Sequence, residues 1–181
     1  MQNGATVPGK VLLETSRFTV VELEQDSPAG PARRQVVLHP GAVTIVPMVD
    51  DDRVCLIRNE RVAVGKTLVE LPAGTLEPDE PPAVTAEREL QEETGYVAQA
   101  WRKLPGFFMS PGILRERMHV FVAEGLAPGP TAREAGENIE NLVVPWDEAL
   151  AMIDRGEIED AKTIAALLVW DRMRRARGAC S

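Results

Sequence analysis

The segment from Pro81 to Gly95 constrains this chain more than any other, because it can be little except a helix. Pro81 and Pro82 stand where only a first helical turn tolerates proline, since the N–H groups there lack intrahelical partners and φ is already the one the ring imposes. Good helix formers follow through Thr94, and Gly95 can take the left-handed conformation that stops a helix. The surrounding sequence is of another kind. Apolar and polar residues alternate loosely over residues 11–24 and 34–39, with a turn at 26–31, which predicts strands. Residues 42–49 are almost wholly apolar and predict a buried strand. Asp50-Asp51-Asp52 is a polar turn, and residues 53–58 are placed to return from it as the second arm of a hairpin. Residues 68–71, 101–109 and 118–122 predict further strands, 72–79 is a loop rich in Pro and Gly, and 127–138 reads as a mobile loop. Helical spacing returns at 146–155 and 158–177, where Ile164, Leu167, Leu168 and Met173 recur at helical intervals. Strands with interspersed helices imply an α/β fold of the α+β kind, not a doubly wound parallel sheet.

The 181 residues, 44% of them hydrophobic, suffice for one globular domain with its own core. A formal net charge of -8 leaves no general cationic field, so binding to a nucleic-acid backbone is not expected. An acidic chain that handles an anionic substrate must supply positive charge locally, from a metal ion or a few placed arginines. Cys55 and Cys180 form neither a disulfide framework nor a zinc spacing, and His39 and His119 lie in β-like runs outside any helical metal motif. No apolar run approaches the length that spans a bilayer, and residues 1–7 lack the pattern of a leader, so a cytoplasmic protein without membrane contact is expected.

On the predicted helix, Glu89, Glu92 and Glu93 occupy positions i, i+3 and i+4, which places three carboxylates on one face. Like charges so arranged repel and need compensation. Spacing alone leaves two readings, a solvated acidic face balanced by Arg88 and Arg115, or a platform for a divalent cation. Oxygen-only ligands favour Mg²⁺, Mn²⁺ or Ca²⁺ over zinc. The register of Gly74, Glu80, Arg88, Glu89, Leu90, Glu92, Glu93, Gly95 and Tyr96 decides between them, because these residues match the pattern G-x5-E-x7-R-E-U-x-E-E-x-G-U, with Tyr96 where an aliphatic residue is more usual.

In this register the sequence resembles the Nudix hydrolase family. The resemblance implies an α/β/α sandwich with a mixed sheet and hydrolysis of a pyrophosphate bond with Mg²⁺, for which Mn²⁺ can substitute. It also implies roles for particular residues. Glu89 and Glu93 become the principal metal ligands, Glu92 a further one, and the backbone carbonyl of Ala73 another. Glu92 and Glu93 thereby share in catalysis, while Arg88 and Glu80 pair to orient the other carboxylates. The likeness covers about residues 36–173, since Gly136 to Ile139 and then Val143-Val144-Pro145-Trp146 resemble the family's catalytic loop and next strand. Glu137 is the candidate general base there, with Glu134 and Glu140 as rivals; a base on a loop can swing in once substrate is bound.

Two further stretches resemble the ADP-ribose pyrophosphatases of that family: Glu70-Leu71-Pro72-Ala73-Gly74, and the turn Ser110-Pro111-Gly112, whose Pro111 lies sixteen residues after Gly95, followed by Glu116. Glu70, Ser110, Pro111, Gly112, Glu116 and Arg61 are accordingly candidate substrate-binding residues. Arg61 suits a phosphate or ribose contact, although Glu60 beside it is an alternative partner. The sequence departs from the subfamily at Asn59-Glu60-Arg61 and at Ile113-Leu114-Arg115. By the same resemblance residues 1–40 form a small N-terminal β subdomain exchanged across a homodimer, with residues near Phe18 contacting the substrate's base, and residues 41–181 form the hydrolase domain. The expected substrate is ADP-ribose, cut to AMP and ribose 5-phosphate. Another nucleoside diphosphate sugar such as a GDP-hexose is the near alternative, and a catalytically silent sensor of such sugars the distant one.

Overall fold

The computed structural model describes residues 9–129 and 139–178. Three strands open the chain: β1 (Lys10–Glu14), β2 (Thr19–Gln25) and β3 (Ala32–Leu38). Residues 11–24, expected as one strand-like stretch, are divided by a turn in which the Thr15 hydroxyl donates to the Phe18 carbonyl and accepts the Phe18 N–H. There follow β4 (Ala42–Pro47), β5 (Arg53–Arg61), β6 (Lys66–Glu70), the short β7 (Ala73–Thr75), α1 (Pro82–Thr94), β8 (Tyr96–Val97), β9 (Ala100–Ser110) and β10 (Leu114–Glu124). The chain ends through β11 (Ala127–Pro128), β12 (Ile139–Pro145), α2 (Trp146–Asp154) and α3 (Ala161–Gly178). No helix among the described residues is long and apolar enough to cross a membrane.

The main sheet is mixed, in the order β1-β2-β3-β10-β4-β7, with β9 antiparallel to β10. β10 runs parallel to β3 near Leu114 and then parallel to β4 from Met118 to Ala123, so the N-terminal strands continue the main sheet. A second sheet, β12-β5-β6, lies apart from it. The expected hairpin of β4 and β5 is therefore corrected. Only the bridge between Met48 and Val54 joins the two arms, and beyond it each strand pairs in a different sheet. Asp50 still makes the turn, its carboxylate accepting the Asp52 and Arg53 amides, but a turn fixes only that the chain reverses. The sequence reading also passes over β7, β8 and β11, which are two or three residues long.

β4 is buried throughout, and apolar but for Thr44, because both its faces are covered. Val43 and Ile45, with Phe121 and Ala123 of β10, pack under α1 through Ala86 and Leu90. The alternate residues Ala42 and Val46, with Met118, Val120 and Val122, pack against Leu56 of the second sheet and against Trp146, Ala149, Leu167 and Trp170 of α2 and α3. This is the sandwich the strand period of two requires. α1 begins at Pro82, with Pro81 as its cap, and stops at Gly95, whose φ of 74° is left-handed and whose N–H donates to the Gln91 carbonyl at 2.9 Å.

Candidate active site

α1 carries its acidic face toward the end of the sheet where β4 starts and β7 pairs with it. Glu93 is only 5% exposed, and its Oε2 accepts the Ala73 N–H at 2.8 Å, which ties the helix to the loop before it. Glu89 lies against Gly74: a Cβ built on that glycine would stand 1.8 Å from Glu89 Oε1. Gly74 makes room for the Glu89 carboxylate in this position by lacking a Cβ, since no left-handed φ is involved. Beside them Arg88 gathers three carboxylates. Its Nη1 donates to Glu89 Oε1 at 2.8 Å and to Glu92 Oε2 at 2.9 Å, and its Nη2 to Glu80 Oε2 at 3.2 Å. Burial alone would lower the Arg88 pKa, but the hydrogen bond to Glu80 and the charge of Glu89 raise it well above its ordinary value. The Arg88 hydrogen bond in turn holds the Glu80 carboxyl below the usual carboxylate range.

A cleft of about 400 Å³ opens beside Glu89 and Glu93, with Ala73, Gly74, Arg61 and Glu116 also on its walls. Sequence-predicted residues from α1, β5, β7 and β10 are thereby brought together. Arg61 does not pair with Glu60. Successive strand residues point to opposite faces, and Arg61 instead grips Glu70 with two hydrogen bonds, Nε to Oε1 at 2.9 Å and Nη2 to Oε2 at 2.6 Å. Glu70 itself is 1% exposed, with Lys162 Nζ donating to its Oε2 at 2.5 Å. Its carboxylate therefore sits behind the cleft and holds the cations that line it. Glu116 lies 3.5 Å from His39 Nδ1, which also accepts the Gly41 amide. One nitrogen cannot accept from an amide and donate to a carboxylate at once, so the two contacts exclude each other.

Other expected residues stand elsewhere. Glu92 faces Arg88 and is not part of the cleft wall. Ser110, Pro111 and Gly112 form the exposed tip joining β9 to β10, closed by the Ile113 N–H donating to the Ser110 carbonyl, and the cleft is lined by Met109 just before them. Glu140 is exposed on β12, opposite Arg58 in the ladder. Glu134 and Glu137 lie outside the described residues.

Among the cleft residues that the sequence reading does not assign to the site are Asn59, Asp160, Lys162 and Arg17. Asn59 could have been found from Arg61, since a strand period of two puts both on one face. Asp160 could have been found as a helix cap, because its carboxylate accepts the Thr163 N–H at 3.0 Å at the start of α3. Lys162 carries no local signal; its partner Glu70 is 92 residues away.

The Glu70 cluster sets a pH dependence. Burial would raise the Glu70 carboxyl, but the hydrogen bonds from Arg61 and the charge of Lys162 outweigh it and hold the pKa below the ordinary 4.5. A carboxylate depressed on folding contributes stability that is present above its unfolded value and lost as pH falls through the folded one. Glu70→Gln is expected to cost about 3–5 kcal/mol at pH 7, because one amide oxygen can still accept from Arg61 Nη2 and Lys162 but the amide NH2 then faces the Arg61 Nε–H, and both cations lose the charge of Glu70. The difference between variant and wild type should shrink below pH 4.5. Urea melts across pH 3–7 check this, and a difference independent of pH would show that the charge of Glu70 contributes nothing.

The donors available to a metal ion here are all oxygens, from Glu89, Glu92, Glu93 and the Ala73 carbonyl, which suits a hard divalent cation. Glu89 is seated over Gly74 in the space a Cβ would fill, and this agrees with a carboxylate aimed along the loop. Among the described residues no three such groups converge closely enough to hold a metal as they stand, Arg88 taking Glu89 and Glu92 instead.

Comparison with known proteins gives a domain family and several relatives. The model of the NUDIX domain matches residues 38–167. An ADP-ribose pyrophosphatase of Bacillus subtilis is 41% identical over 138 residues, 75% of each chain. A GDP-mannose pyrophosphatase of Citrobacter koseri is 40% identical over 137 residues, 70% of this chain and 71% of the other. A crystal structure of an ADP compounds hydrolase shares the fold with a TM-score of 0.79 at 24% identity, covering 94% of this chain and 96% of that one.

Proposed function

The chain belongs to the NUDIX domain family and is a hydrolase of pyrophosphate bonds, and on that premise we propose that it cuts ADP-ribose to AMP and ribose 5-phosphate with Mg²⁺ as its metal. The observation that carries this is the convergence of Glu89 and Glu93 from one helix with Arg61 from a separate sheet, around a cleft sized for a small molecule. ADP-ribose is favoured by the Bacillus subtilis relative, which bears that activity in its name.

In this reading Glu89, Glu92, Glu93 and the Ala73 carbonyl would hold Mg²⁺. When bound, the ion neutralises phosphate charge and lowers the pKa of water at the reacting phosphorus. Arg61, aimed by Glu70, donates to phosphate or ribose, Glu116 and Met109 bound the substrate at the cleft wall, and the exposed Ser110-Pro111-Gly112 tip meets only a part of the substrate that extends out of the cleft. Glu137 takes the proton from the attacking water as oxygen bonds to phosphorus and the bridging P–O bond breaks, giving the two monophosphates. The acidic chain meets its anionic substrate through local positive charge, as the net charge requires.

The GDP-mannose pyrophosphatase relative favours a second reading, the same reaction on a GDP-hexose. Product analysis by ion-exchange chromatography across ADP-ribose, GDP-mannose and other nucleoside diphosphate sugars, with and without Mg²⁺ or Mn²⁺, separates the two. Absence of ADP-ribose turnover beside brisk GDP-mannose turnover would sink the first.

Residues 1–40 are proposed as a dimerisation subdomain of a cytoplasmic homodimer, with 41–181 as the hydrolase domain. The support is that edge strand β1 leaves Val11, Leu12 and Leu13 about half exposed, at 49%, 45% and 52%, a surface that soluble chains normally cover. A monomeric mass by light scattering at micromolar concentration contradicts it.

A further inference from the structure

We propose that Lys162 contacts the substrate directly, its ammonium donating to a phosphate oxygen while Glu70 and Asp160 fix its direction. The proposal rests on the reading of the cleft as a pyrophosphatase site and adds to it a residue outside the signature helix, its loop and the Ser110-Pro111-Gly112 turn.

Lys162 lies in the first turn of α3, is 8% exposed and lines the same cleft as Glu89, Glu93 and Arg61. Two of the three N–H bonds of its ammonium are accounted for, one to Glu70 Oε2 at 2.5 Å and one toward Asp160 Oδ2 at 2.9 Å. An ammonium on the cleft wall with two donors fixed has its third direction fixed as well, since the three are tetrahedral about one nitrogen.

The supports of this lysine are themselves held. Asp160 Oδ2 also accepts the Thr163 N–H and, at 2.5 Å, the Thr163 hydroxyl, so its charge is divided among three donors. The Thr163 hydroxyl oxygen in turn accepts the Leu71 N–H at 2.8 Å. The start of α3 is thus fastened to the strand end that carries Glu70 and leads to Ala73 and Gly74. Arg61 and Lys162, arriving from different elements, meet on the carboxylate of Glu70, and Lys162 has Asp160 as a second partner; the two cations are thus balanced by two carboxylates, and what they offer a diphosphate at this wall is their remaining N–H donors.

A buried ionic cluster is weak as a stabilising device, because desolvation offsets most of its attraction and apolar residues of like volume commonly do as well. A cluster that opens onto a substrate cleft has a better reason to exist. The carboxylates of Glu89, Glu93 and Glu116 line that cleft too, and an anionic substrate needs cations among them.

Steady-state hydrolysis of ADP-ribose and GDP-mannose by the full chain, with thermal midpoints measured alongside, tests this. Lys162→Met should raise KM by about 10–100-fold, the range for one charged hydrogen bond, with kcat changed by less than about threefold. Lys162→Arg should recover part of the loss. Because Lys162→Met leaves Glu70 short of a partner, the Glu70→Gln/Lys162→Met variant is measured with Glu70→Gln as its control; it should fold as well as that control and still show the raised KM. A wild-type KM in Lys162→Met, or one restored in the double variant, would make the lysine purely structural and overturn the proposal. If the wild type turns over neither substrate, the pyrophosphatase reading fails in the parent enzyme and takes the proposal with it, an outcome distinct from failure in the variant alone.

Discussion

Glu93→Gln is expected to lower kcat by roughly three orders of magnitude, about 4 kcal/mol of transition-state stabilisation, while the protein folds as before. The asymmetry follows from the two tasks the carboxylate has. Its Oε2 accepts the Ala73 N–H at 2.8 Å, and a glutamine oxygen accepts the same bond, so the tie between α1 and the loop survives. The negative charge does not survive, and charge is what a hard cation takes from its ligand. Glu93→Ala removes both functions and should lose stability as well as rate. Comparing the two variants by Mg²⁺-dependent turnover and by thermal midpoint separates ligand from anchor. Full Mg²⁺-dependent turnover in Glu93→Gln would remove this residue from the site, and with it the idea that the buried end of the acidic face is its working end.

What could be read before the structure, and what could not, divides by distance along the chain. The helix α1 is legible because its signals are local: Pro82 starts it, Gly95 stops it at φ 74°, and the glutamates between are spaced by its own period. The buried strand β4 is legible for the same reason, an apolar run being intelligible only if both faces are covered. The hairpin of β4 and β5 misleads because Asp50 specifies a reversal and nothing nearby specifies the sheet that receives Arg53–Arg61. Arg61 shows the same divide within one residue. That it avoids Glu60 follows from strand alternation and was open to a local reading, whereas its grip on Glu70 depends on how β5 and β6 pair. Lys162 and Glu70 meet only after α3 has packed across the end of β6, and no pattern within a short window encodes that. The signature therefore names the carboxylates and leaves the opposing cations to the tertiary structure.

Arg88→Met is expected to destabilise the protein by about 3–4 kcal/mol, lowering the thermal midpoint by roughly 10 °C, and to make its stability unusually responsive to Mg²⁺. Arg88 is the common partner of Glu80, Glu89 and Glu92, whose side chains are 14%, 13% and 24% exposed, so removing it strands three partly buried negative charges within reach of one another. Methionine keeps much of the apolar stem, which confines the loss to charge and hydrogen bonds. A divalent cation bound at Glu89, Glu92 and Glu93 would supply the missing positive charge. Its stabilisation grows with concentration as mass action requires, so the variant should recover part of the lost midpoint in millimolar Mg²⁺. The wild type, in which Arg88 competes for Glu89 and Glu92, should gain less. Differential scanning fluorimetry across a Mg²⁺ series, with Na⁺ at matched ionic strength, measures both slopes. Equal slopes in wild type and variant would mean that Arg88 and the metal do not share carboxylates. A steeper slope in the variant would show that the arginine and the cation serve the same negative charges in turn, which is how an acidic helix face stays folded before metal arrives and still yields its ligands when it does.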